Sequence, residues 1–365
     1  MMELSFDEMT FLADCPATPL SHLESNGQHL IDNNPYQVTI YITRQCNLNC
    51  THCYISAGKP LNDELEKEEW KHIIKNLSEL GTKVLYILGG EPLLKDGIFE
   101  IIHYSTTLGL YTSLSTNGIL VSDKVSETLK KSKINEVQVS IDGPNESINS
   151  IIRGKNNFNL AVNGVKNLIK AEIPTSISYV ITEHNKDYIE EMISLAENLG
   201  VKSINFSPVQ IFGRAKLNNL LLKRNSAIEA YKKIKEIKDN HKIKITTNGF
   251  RFYLNNIYDV YLSLKNKVKA NYYSCPAGRS RFVIDANGDI YGCELLINPM
   301  FKEGNAIKND LKDIWKNKFK TFRKDWWLNL NDCKQCSISS LCQGGCLART
   351  INNNMIKDQN CVFKF

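Results

Sequence analysis

From residue 37 to about residue 208, short β-branched runs alternate with longer stretches of helical period, and this limits the fold more than any other feature of the chain. The strand candidates are Gln37–Thr43, Lys83–Leu88, Tyr111–Ser115, Glu136–Ile141, Thr175–Ile181 and Val201–Ser207. Helix candidates lie at about 65–80, 97–108, 122–132, 158–171 and 186–199, several closed by glycine, as at Gly81, Gly109 and Gly200. Strands separated by helices pair in parallel through right-handed crossovers. Six such units suit a partial (β/α)6 TIM-like barrel better than a full eight-unit one. The expected fold is α/β, with an N-terminal extension at 1–36, the barrel core at 37–210, a bridging segment at 211–270 and a small cysteine-rich domain at 271–365. Within the bridge, a helix is expected around 225–238, a strand at Ile243–Thr247 and then another helix.

Reactive groups of such a barrel belong on the loops after the strands' carboxyl ends. Four distinctive loops follow the first four strands: a cysteine-bearing one, then Gly89-Gly90-Glu91-Pro92, Thr116-Asn117-Gly118 and Asp142-Gly143-Pro144. All four open at one rim. The first holds Cys46, Cys50 and Cys53 as C-x3-C-x2-C between Thr43 and Tyr54. Four thiolates would close a [4Fe-4S] cluster into an electron carrier, whereas three leave an iron where a small molecule can coordinate. Zinc usually takes two pairs of ligands, and no nearby Cys or His completes one here. His52, between two of the cysteines, is expected to point away from the metal and to pack or face solvent. In the second loop, paired glycines let backbone approach a ligand, and Pro92 fixes the geometry beside a carboxylate.

Eleven cysteines, an odd number, are better suited to metal ligation than to a disulfide framework. The start of the chain is acidic and lacks the basic region and apolar run of a signal peptide, and no stretch reaches about 18 apolar residues, so a soluble cytoplasmic protein without a membrane span is expected. A net charge of +6, spread along the chain, does not point to nucleic acid. The densest basic stretch, Lys312 to Lys324, falls in a Trp-rich helix-like segment near 310–327 and reads as a solvated face.

The C-terminal cysteines form a second pattern. Cys275 is followed by Gly288 and Cys293, then by Cys333, Cys336, Cys342 and Cys346 as C-x2-C-x5-C-x3-C, and last by Cys361. Spacing alone also admits a zinc ribbon in the middle portion. Together the two patterns make the chain resemble the radical S-adenosylmethionine (SAM) enzymes that carry a C-terminal SPASM extension.

In that family the vacant iron binds the amino and carboxylate groups of SAM, and an electron from the cluster cleaves it to a 5'-deoxyadenosyl radical. The resemblance implies that the Gly89-Gly90-Glu91 loop meets the SAM amino group, that Tyr54 seats the adenine, and that Asn117, Ser140, Asp142 and Arg153 lie near the cofactor. Of these, Arg153 best suits a carboxylate, through its guanidinium fork. The resemblance also implies two auxiliary [4Fe-4S] clusters beside the SAM-binding one. Cys333, Cys336, Cys342 and Cys361 would hold the distal cluster, and Cys275, Cys293 and Cys346 the nearer, with an open site or Cys15 as a distant fourth ligand. Glu294, next to Cys293, stands where some sulfatase-maturating relatives have an acid that accepts a proton, and is carried as a catalytic candidate with Cys46, Cys50 and Cys53.

Auxiliary clusters can take an electron from a substrate radical, so the expected chemistry is net oxidation of a peptide or protein, such as a thioether or carbon-carbon crosslink. Expected partners are that substrate, a flavodoxin- or ferredoxin-type donor and a separate peptide-recognition protein, since about 36 residues before the first strand are too few for a winged-helix recognition domain. Three alternatives stand beside this reading: tetrapyrrole side-chain modification of the haem-biosynthesis kind, anaerobic sulfatase-type maturation, and a non-catalytic electron carrier. The first rests on Cys53-Tyr54-Ile55-Ser56-Ala57-Gly58 and the turn Gly213-Arg214-Ala215-Lys216.

Overall fold

The computed structural model describes residues 33–249, 275–336, 339, 344–352, 354 and 361. The expectations for Cys15, Cys342 and the second helix of the bridge fall outside these residues. Parallel strands β1 (Gln37–Tyr41), β2 (Val84–Leu88), β3 (Tyr111–Thr116), β4 (Glu136–Ser140), β5 (Thr175–Ile181) and β6 (Ser203–Pro208) follow one another in chain order across one sheet. Helices Lys67–Glu79, Ile98–Thr107, Asp123–Lys131, Phe158–Lys170 and Ile189–Leu199 fill the crossovers. The six-unit partial barrel is therefore present, and β7 (Lys244–Thr247) continues its sheet by pairing in parallel with β6.

Alternation along each strand sends one set of side chains to the helices and the other to the lumen. Val38, Ile40, Leu85, Ile87, Leu114, Val137, Val139, Ile177 and Ile204 are fully buried in the helix-facing core. Each contributes about 1.5–3 kcal/mol by leaving water. The complementary positions on β3 to β7 are polar: Ser113, Ser115, Gln138, Ser140, Ser178, Asn205, Ser207 and Thr246. At the amino ends of the strands, Glu136 accepts hydrogen bonds from Tyr111 Oη at 2.9 Å and Ser176 Oγ at 2.7 Å.

The C-terminal segment joins the other edge of the same sheet. Strand β8 (Arg281–Ile284) lies parallel to β1, with Gln37 opposite Arg281 and Ile40 opposite Ile284. Strands β9 (Asp289–Tyr291) and β10 (Lys302–Asn305) then add antiparallel. The expected helix near 310–327 is broken into Leu311–Asn317, Lys320–Arg323 and a 3-10 turn at Trp326–Asn329. The break falls at Phe319, whose left-handed φ of 61° sends a fully buried ring against Phe282 and Trp315. Core packing there outweighs helical continuity. No helix among the described residues is long and apolar enough to cross a membrane.

Candidate active site

The cysteine triplet lies on the loop leaving β1. Gly58 closes the loop by donating its N–H to Arg44 O at 3.0 Å and accepting from Cys46 N at 2.9 Å. Within it, Leu48 N donates to Cys46 Sγ and Ala57 N to Cys53 Sγ, each at 3.4 Å. Amide donors aimed at sulfur favour thiolates. Burial pushes the Cys50 thiol up to about 11, with the Arg153 charge opposing the shift and Cys46 and Cys53 adding to it, and burial also raises Cys46. A buried thiolate group of this kind needs a cation, which iron ligation supplies. The residues therefore fit the cluster that their spacing implies. Among the described residues no three Cys, His, Asp or Glu side chains close around a single point; ligands of a cubane each take a different iron and need not.

The neighbouring loops brace the triplet. Cβ atoms added at Gly89 and Gly90 would meet Thr43 O at 2.7 Å and Gln45 O at 2.1 Å, so these glycines are required by the chain's own close approach. Glu91, fully buried, accepts from Thr116 Oγ1 at 2.7 Å, Asn117 N at 2.8 Å and Leu93 N at 3.1 Å. Its carboxylate thus ties the second rim loop to the third. Asn117 Nδ2 reaches Asn47 Oδ1 inside the triplet loop at 2.7 Å.

Asp142 has no exposed surface and pairs with Arg153 Nε at 2.6 Å while accepting from Val180 N at 2.7 Å. Helix Glu146–Arg153, absent from the sequence-based expectation, carries Arg153 there, and Ile152 O from the same helix receives Thr51 N at 2.8 Å. His52 packs, the first of its two expected settings: it lies 3.5 Å from Asp142 Oδ2, and burial pushes it down to about 4, so it is neutral at pH 7. Ser140, the last residue of β4, is partly exposed on the lumen face, two residues before Asp142.

Three further residues gave no recognisable signal in the sequence. Arg44 forms a two-pronged ion pair with Asp285 after β8, Nε to Oδ1 at 2.7 Å and Nη2 to Oδ2 at 2.8 Å. Glu64 accepts Arg44 N at 2.6 Å and Thr43 Oγ1 at 2.7 Å. Parallel neighbours β1 and β8 end at the same rim, so the pair fastens the C-terminal segment to the residue two before Cys46.

The second cysteine group is assembled across that junction. Cys293 is buried, and its thiol is pushed well up by burial and, to a lesser extent, by the charges of Glu294, Cys346 and Cys275. Glu294 pairs with the buried Arg281 at 2.6 Å. Tyr54, directly after Cys53, shares a 2.6 Å hydroxyl contact with Tyr41. Burial raises both phenols, and the Glu294 charge raises them further. Cys333 and Cys336 share a turn, with Cys336 N donating to Cys333 O at 3.2 Å, and Cys361 is partly buried.

A partial parallel barrel with a three-cysteine rim loop, joined to a cysteine-rich sheet extension, defines a radical SAM enzyme with auxiliary iron-sulfur ligands. The chain carries a radical SAM superfamily domain, matched over residues 40–196, and a SPASM iron-sulfur cluster-binding domain, matched over 275–337. It is 29% identical over 318 residues to mycofactocin maturase MftC of Mycolicibacterium smegmatis, spanning 86% of this chain and 78% of that protein. It is also 28% identical over 363 residues to the AdoMet-dependent heme synthase of Methanosarcina barkeri, spanning 91% and 97%. Its fold matches Streptococcus suis SuiB bound to S-adenosylmethionine with a TM-score of 0.76 at 20% identity, spanning 91% of this chain and 78% of that one.

Proposed function

We propose that the protein cleaves SAM reductively and uses the resulting radical to oxidise a peptide, as a maturase. The cluster, when bound, supplies the electron and the open coordination site for SAM. Cys46, Cys50 and Cys53 hold it. Glu91 and Asn117 keep the rim loops in register around it, while Asp142 and Arg153 brace it from below. The backbone of Gly89 and Gly90, together with Tyr54 and Ser140, borders the volume in which SAM would lie. Cys275, Cys293 and Cys346 hold the nearer auxiliary cluster, and Cys333, Cys336, Cys342 and Cys361 the distal one, giving three clusters in all. Glu294 stands ready to take a proton beside the nearer group. An electron donor of the flavodoxin or ferredoxin type, a separate peptide-recognition protein and a cytoplasmic setting complete the proposal.

The lining of the barrel carries the choice of substrate. Its polar positions on β3 to β7 offer hydroxyls and amides, which suit a peptide backbone, and none of those toward the rim is Lys or Arg, Lys244 standing exposed at the amino end of β7. Arg44, Arg153 and Arg281 nearby are already paired with Asp285, Asp142 and Glu294. Carboxylates of a tetrapyrrole would enter such a lumen without cations, at a large desolvation cost. Similarity to mycofactocin maturases, and a shared fold with SuiB, which has been solved with its precursor peptide SuiA, support the same reading.

The test is anaerobic incubation of reconstituted enzyme, dithionite and SAM with, in separate arms, any short peptide encoded beside its gene and a porphyrin. A product lighter by two hydrogens supports crosslinking. Modification of a porphyrin with no change in the peptide would overturn the peptide assignment in favour of the haem-type reading.

A further inference from the structure

The turn Gly213-Arg214-Ala215-Lys216 has no part in the site described so far, yet it is bonded directly to the cysteine loop. Arg214 donates from Nε to Cys50 O at 2.8 Å, from Nη1 to Ala57 O at 2.7 Å and from its backbone N to Cys53 O at 2.9 Å. One residue thus grips the carbonyls of two ligands and of the residue whose N–H serves Cys53 Sγ. Gly213 makes this possible: at φ 51° its added Cβ would fall 2.4 Å from Tyr54 O and 2.6 Å from Cys53 O. Asn218 Nδ2 adds a further bond to Thr51 O at 2.9 Å.

The other side of the same turn is tied to the SPASM region. Lys216 Nζ donates to Asn352 Oδ1 at 2.8 Å, and Asn352 Nδ2 donates to Ile211 O at 3.2 Å. Asn352 ends the helix Leu347–Asn352, which begins directly after Cys346. The loop after β6 therefore touches the segments that carry ligands of both the SAM cluster and the nearer auxiliary cluster.

We propose that Arg214 is a positioning residue for the SAM-binding cluster, holding the triplet loop by three carbonyls and placing a fixed positive charge beside it. A cation there favours the reduced, more negative cluster and so raises its potential. Groups around a metal's ligands commonly control affinity by about 10–100-fold. The proposal rests on the radical SAM reading of the site.

The test compares wild type, Arg214→Lys and Arg214→Gln, each fully reconstituted under anaerobic conditions. The cluster of interest is identified by the electron paramagnetic resonance signal that changes when SAM is added. Arg214→Gln is expected to shift that cluster's potential to a more negative value and to lose its iron to a chelator about tenfold faster or more. Arg214→Lys keeps the charge but loses the fork, so it should retain the wild-type potential while losing iron faster. If both variants match wild type in potential and iron retention and differ only in thermal stability, the proposal is overturned and Arg214 is a structural residue. A wild-type protein that shows no SAM-sensitive signal would overturn the site reading, and the proposal with it.

Discussion

The Arg44–Asp285 pair should behave as one unit that joins barrel and SPASM region. Its side chains are 11% and 8% exposed, and both prongs are shorter than 3 Å. Removing one member of a buried ion pair costs about 3–5 kcal/mol, because the remaining charge is stranded. Here Arg44 would keep Ile55 O at 3.3 Å and the Tyr41 ring at 5.2 Å, so the cost of Asp285→Asn is placed at about 2–3 kcal/mol, below that range. Arg44→Met should cost a similar amount, and the double variant less than the sum, giving a coupling of about 2 kcal/mol. The assay is anaerobic urea denaturation of the four proteins of the cycle. Because Arg44 O accepts Gly58 N at the neck of the triplet loop, both single variants should also release iron from the SAM cluster faster. Additive costs, with coupling under about 0.5 kcal/mol, would refute the account of this junction.

Other outcomes follow from the same geometry. Cys46→Ala should abolish SAM cleavage and lower bound iron from about 12 to about eight atoms per chain, by iron analysis, with the auxiliary signals kept. Cys293→Ser should leave uncoupled SAM cleavage in place but suppress the oxidised product, seen by mass spectrometry; full product yield would remove the auxiliary cluster from the reaction. Gly90→Ala places a methyl 2.1 Å from Gln45 O, so it should cost more than about 3 kcal/mol or prevent cluster loading, read by the visible absorbance of the reconstituted protein.

Much of this was legible because it is periodic or local. Strands β1 to β6 were marked by β-branched runs and the outward helices by their stripes, and C-x3-C-x2-C sits on one loop. What was not legible depends on pairs far apart in the chain. Asp285 meets Arg44 across 241 positions, and only the parallel pairing of β8 with β1 makes them neighbours. Arg214 meets Cys50 across 164 positions, through side-chain bonds to carbonyls, which have no sequence signature. Helix Glu146–Arg153 is short and half polar, so its period is weak, yet it brings Arg153 to Asp142. The close approach of Gly89 and Gly90 to Thr43 and Gln45 was not legible either, because sequence cannot say which backbone comes close.

The central claim is that the triplet holds a cluster able to cleave SAM. Reconstituted protein, reduced with dithionite and mixed with SAM in the absence of oxygen, should yield 5'-deoxyadenosine and methionine in equal amounts. Absence of 5'-deoxyadenosine from protein carrying its full iron, with the SAM-binding cluster shown to be reduced, would contradict it.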